Sequence, residues 1–129
     1  LLLEAGASVG AADGEGASAL ALSCEAGRLE CAQLLLAAGA AVDQAEDGGC
    51  TPLFVACQEG QLECASLLLK EGAAVDQADK DGFTPLFVAC QEGELECVQL
   101  LIEANAAVNQ AKQNGFTPLY MACQQGHLD

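Results

Sequence analysis

Apolar and polar positions in this chain alternate in blocks that come back in the same order. Leu86-Phe87-Val88-Ala89-Cys90 is continuously apolar, Gln91-Glu92-Gly93 interrupts it, and Leu95, Cys97, Val98, Leu100, Leu101 and Ile102 resume it. One block earlier, Leu53, Ala56 and Cys57 fall at i, i+3 and i+4, the spacing of a single helical face. Leu67-Leu68-Leu69 gives the following block a broad apolar side. Each block therefore predicts two short helices across a tight turn, followed by a connector of small residues such as Ala106-Ala107-Val108-Asn109.

The blocks keep phase. Thr51, Thr84 and Thr117 stand 33 apart, with Ser18 in the same slot of the first copy. Leu20, Leu53, Leu86 and Leu119 keep the same interval, as do Cys24, Cys57, Cys90 and Cys123, and Gly27, Gly60, Gly93 and Gly126. A fixed period of this length marks a stacked repeat, in which each unit covers its apolar face with its neighbours. The phase divides the chain into a partial unit 1–14, full units 15–47, 48–80 and 81–113, and a partial unit 114–129, all one array. Leu1-Leu2-Leu3 aligns with Leu34-Leu35-Leu36, so the sequence reads as a window cut from a longer array.

Local signals set the helix ends. Thr-Pro places an N-cap hydroxyl before a proline at the first helical position, where its missing N–H costs nothing. Gly27, Gly60 and Gly93 permit the left-handed residue that stops a helix. The predicted helices are about 19–26, 29–37, from Pro52 to the Gly60 stop, 62–70, the corresponding pair of the third unit, and 117–125. Asp81-Gly82 and Asn114-Gly115 are turn signals.

Thr84-Pro85-Leu86, Gly93, Leu100-Leu101 and Ala106-Ala107-Val108-Asn109, with their copies, resemble the ankyrin repeat over essentially the whole chain. The resemblance implies an all-α solenoid of helix-turn-helix units with short hairpin-like connectors. It also implies a non-catalytic protein-interaction module, with a concave groove lined by connector tips and the exposed edge of the first helices. The family usually carries His after Thr-Pro-Leu; here that slot holds Ala21, Phe54, Phe87 and Tyr120. Aromatic packing is expected to replace a polar link between units. His127, the one histidine, occupies a slot where the family carries a structural His after Gly.

Composition narrows the partners. There are 19 acidic against 4 basic residues, a formal net charge of −15. Phosphate neutralisation needs Lys and Arg, so nucleic acid is not expected as a partner and anionic membrane surfaces are disfavoured. A partner steered by charge would be basic, although the same charge also serves solubility. Apolar residues make up 52%, with four Phe, one Tyr and no Trp, which suits close helix packing. No run of about 18 apolar residues is present, so nothing is expected to span a membrane.

Seven of the eight cysteines fill two repeat slots inside predicted helices. Buried thiols behave as small hydrophobes, which fits a reducing, intracellular compartment, cytoplasmic or organellar. The pairs Cys24/Cys31, Cys57/Cys64 and Cys90/Cys97 are read as linking the two helices of one unit. A spacing of seven with no recurring His does not suit a metal. Cys50 lies in a turn and is the candidate exposed, modifiable thiol, with an inert thiol as the favoured alternative. Glu59/Glu63 and Glu92/Glu96 stand four apart on helix ends. An open solenoid offers no closed cleft for acid–base work, so these are read as solvated faces. Neither phosphate loop, nucleophile elbow nor dinucleotide fingerprint occurs, and no catalytic, cofactor or metal residue is assigned.

Carried over slot by slot, the resemblance places the partner-binding surface on Asp47, Cys50, Gln58 and Glu59 in the second full unit. In the third it is Lys80, Asp81, Phe83, Gln91 and Glu92, and in the last Gln113, Asn114, Phe116, Gln124 and Gln125. Phe83 and Phe116 are candidate anchors, because a turn tip needs no Phe for folding; the alternative is that each ring packs on the adjacent tip. Two other roles stand beside groove binding: a structural linker within a large assembly, and a regulatory domain of a larger enzyme or channel.

Overall fold

A computed structural model of the chain describes residues 18–104. Among the described residues six helices run α1 (Ala19–Glu25), α2 (Leu29–Ala37), α3 (Pro52–Gln58), α4 (Leu62–Lys70), α5 (Pro85–Glu92) and α6 (Leu95–Glu103). They form three helix pairs, and all six fall where the sequence pattern predicts helices.

The helix starts follow from the hydroxyl slot. Ser18, Thr51 and Thr84 are extended and buried, and their oxygens accept from the backbone N–H of Ala21, Phe54 and Phe87 at 3.1, 3.2 and 3.1 Å. Pro52 and Pro85 occupy the first turn behind them. The ends of the first helices are built alike. Gly60 turns left-handed, its N–H donates to the Cys57 carbonyl, and the Gln61 N–H donates to the Ala56 carbonyl at 2.8 Å. That double bond satisfies carbonyls a helix end leaves free.

Leu20, Leu53, Leu68 and Leu101 are fully buried, together with Ala32, Ala56, Ala65 and Ala89. Each such leucine contributes about 1.5–3 kcal/mol of burial free energy. From Pro52 to Cys57 every residue of α3 is buried, because α1 and α5 cover it from both sides. Phe54 and Phe87 are buried as well, so aromatic side chains fill the slot that the family pattern gives to His.

The first helices α1, α3 and α5 pack closely on one another, whereas α2, α4 and α6 meet only sparsely. A stack that is tight on one side and splayed on the other curves, with the first helices on its inner side. The connectors run beside this inner row. The Ala74 N–H donates to Asp43 Oδ1 at 3.0 Å, and the Lys80 N–H to the Gly48 carbonyl at 3.0 Å, so successive connectors are hydrogen-bonded to each other.

Candidate functional site

The connector tip at the boundary of the second and third full units is organised by Asp79. Its Oδ1 accepts from the N–H of Asp81 at 3.0 Å and of Phe83 at 2.9 Å, while the Asp79 N–H donates to the Phe83 carbonyl at 2.8 Å. This local closure leaves Lys80 and Asp81 exposed at the tip. In the preceding unit Glu46 takes the same slot. Its N–H donates to the Cys50 carbonyl at 3.0 Å, and Asp47 is exposed.

Cys50 is half-buried, unlike the exposed thiol expected from its turn position. Burial pushes its thiol up to about 12, helped by a hydrogen bond to the Glu46 carboxylate and by the charges of Asp79 and Asp81. It is held protonated, the opposite of a reactive thiol.

Phe83 is half-buried too. Its ring lies 4.8 Å from that of Phe87, centroid to centroid, with the planes tilted by 51°. This contact places it against the first helix of its own unit. Glu59, Gln91 and Glu92 are exposed at the ends of α3 and α5, with Gln58 half-buried beside them. The structure thus sets these side chains and the tips along the inner row. Gln113, Asn114, Phe116, Gln124 and Gln125 lie outside the described residues.

Glu59 caps the C-terminal end of α3, and Glu92 is the last residue of α5. A helix C-terminus carries partial negative charge, so carboxylates there are unfavourable for the helix itself, by a few tenths of a kcal/mol up to about 1. Stability alone does not explain an acidic row at these positions.

The thiols pair between units. Cys24 donates to Cys64 of the next unit, and burial, the larger effect, pushes Cys24 up to about 12. Cys57 likewise donates to Cys97 one unit on, which raises Cys57 and lowers Cys97. The partners that the structure gives to Cys24 and Cys57 therefore lie across the unit boundary, whereas the sequence spacing had joined Cys24 to Cys31 and Cys57 to Cys64. None of the seven described cysteines is in a disulfide, and no group of metal-ligating residues occurs among the described residues.

The splayed side of the stack opens a hollow of about 370 Å³ between α4 and α6, lined by Leu62, Glu63, Ser66, Glu96, Gln99, Leu100 and Glu103. A second hollow of about 290 Å³ joins it through Leu62, Glu63 and Glu96 and reaches the helix turns at Gly27 and Gly60. Sequence reasoning read Glu63 and Glu96 as solvated faces and assigned this hollow no functional role. The available signal was the repetition of Leu62-Glu63 as Leu95-Glu96 on the outer helices.

No helix among the described residues is long and apolar enough to cross a membrane. A family model of ankyrin repeats, in three copies, matches residues 1–79 and 71–129. Comparison with curated proteins gave no match.

Proposed function

The chain belongs to the ankyrin-repeat family, whose members are in general protein-interaction modules, and on that premise we propose that it is a non-catalytic module that binds a basic partner protein along its inner row. The observation that carries this reading is the placement of Glu59 and Glu92 at helix C-termini, where they oppose the helix dipole. With Asp81 they form an acidic rim, flanked by Gln58 and Gln91. Phe83 still has part of its surface exposed and supplies an apolar contact beside that rim. Proteins bound through such a rim associate faster at low salt, because complementary charge steers the encounter. The unbridged cysteines support a reducing intracellular compartment.

The test is cross-linking with mass spectrometry on the protein in its native assembly, paired with a Glu59→Lys, Asp81→Lys, Glu92→Lys triple variant. Cross-links from Lys80 to one partner, with binding lost in the variant and helicity kept, are the expected result. Cross-links restricted to Lys70 and Lys112, with unchanged affinity, would sink the inner-row reading. The hollow between α4 and α6 favours a second role on the opposite face, that of a structural linker held by its sides.

A further inference from the structure

We infer that the outer wedge between α4 and α6 is a second docking surface, one that takes a short amphipathic helix carrying basic residues two turns apart. The wedge arises from the curvature: close packing of the inner helices forces the outer ones apart. Its apolar floor is made by Leu62 and Leu100, both only partly buried, with Ser66 between the helices. Glu63, Glu96 and Glu103 stand around this floor, and none of the described basic residues, Arg28, Lys70 and Lys80, lines it.

The geometry specifies the occupant. Glu96 and Glu103 are seven residues apart on one face of α6, about 10.5 Å along the axis. Glu63 and Glu96 hold the same slot on neighbouring helices, so the helix spacing of about 8–10 Å separates them. A helix lying along α6 with Lys or Arg at positions i and i+7 meets Glu96 and Glu103. An aliphatic side chain at i+3 or i+4 then falls over the floor between them. A second copy of this chain does not fit, because both copies carry −15.

The experiment uses fluorescence anisotropy with a labelled 16-residue helical peptide bearing Lys at positions 4 and 11 and Leu at positions 7 and 8. Saturable binding that weakens with added salt is expected. A Glu96→Gln, Glu103→Gln variant should weaken it about fivefold. Ser66→Trp, which fills the wedge without changing charge, should do the same. Glu59→Lys with Glu92→Lys on the inner row should leave it within about twofold, which separates this surface from the one proposed above. Circular dichroism confirms that each variant is folded. If the Gln pair binds as well as the original chain, or if the inner-row pair loses as much affinity, the docking surface is refuted. A peptide with Ser in place of both Leu that binds equally well would also refute it, because the attraction would then be charge alone.

Discussion

The side-chain amide of Gln61 reaches back one repeat and donates to the backbone carbonyl of Glu25, Nε2 to O at 3.1 Å, across 36 residues of chain. Glu25 is the last residue of α1, so Gln61 satisfies a carbonyl that the helix itself leaves free. The amide lies over Gly27, where an added Cβ would run into it. One side chain thus joins the end of one unit's first helix to the start of the next unit's second helix.

Glu94 holds the slot of Gln61 one unit later, and its carboxylate lies over Gly60 in the same manner. A carboxylate has no N–H to donate, and it faces the negative end of α3. Glu94→Gln should therefore stabilise the chain by about 0.5–1 kcal/mol. The urea midpoint should rise with the slope of the transition unchanged. A midpoint that stays or falls would show that Glu94 is already well accommodated.

Thr84 is 1% exposed, and its hydroxyl oxygen is the acceptor for the Phe87 N–H. Alanine would leave that N–H buried without this bond at a helix start. The expected loss is about 1–2 kcal/mol, while Thr84→Ser should retain most of the stability because Ser18 performs the same task in the first unit. Equilibrium unfolding of the two variants side by side checks this; equal losses would mean that the threonine methyl, rather than the hydroxyl, matters.

The helices were legible because their signals are local and repeated. Thr-Pro fixes the starts of α3 and α5, and Gly60 and Gly93 fix the stops that follow them. What one unit does to the next was much less legible. The period says that Cys24, Cys57 and Cys90 are equivalent, but it does not contain the translation that sets Cys24 against Cys64 or Gln61 against Glu25. Nor does it contain the curvature. Glu63 and Glu96 read as solvated residues, and only the splay of α4 from α6 turns them into the rim of a hollow. The inner-row residues came from the family pattern rather than from their own chemistry. Their exposure is uneven for a local reason: Phe87 lies under Phe83, and Glu46 holds Cys50.

Gly49 and Gly72 have nearly the same left-handed backbone, φ +87 and +89, in different surroundings. A Cβ on Gly72 meets open space, whereas on Gly49 it would stand 2.8 Å from the Lys80 nitrogen and 3.1 Å from the Asp79 Cα. Gly72→Ala should cost only the conformational term, about 1 kcal/mol. Gly49→Ala must in addition push two connectors apart where Lys80 bonds to Gly48, so it should cost about 2 kcal/mol or more. Unfolding free energies decide the matter; equal costs would mean that the tips yield freely and that their contact contributes little to the stack.

The raised thiols make the fold sensitive to alkali. Cys24 is fully buried and pushed up to about 12 from an ordinary value of 9.0. Between those values the unfolded chain gives up a proton that the folded chain keeps, so the unfolded state binds fewer protons and stability falls as pH rises. Below pH 9.0 the contribution is complete; from there toward about pH 12 it is lost, at a limit of about 1.4 kcal/mol per pH unit for one thiol. Cys50 shifts the same way but is only half-buried, and solvent screening makes its share smaller. Urea midpoints at a series of pH values from neutral to strongly alkaline should decline across this window. Cys24→Ala should start lower, because it leaves a cavity, and decline less steeply. Parallel declines for the two chains would show that Cys24 ionises as easily in the fold as outside it.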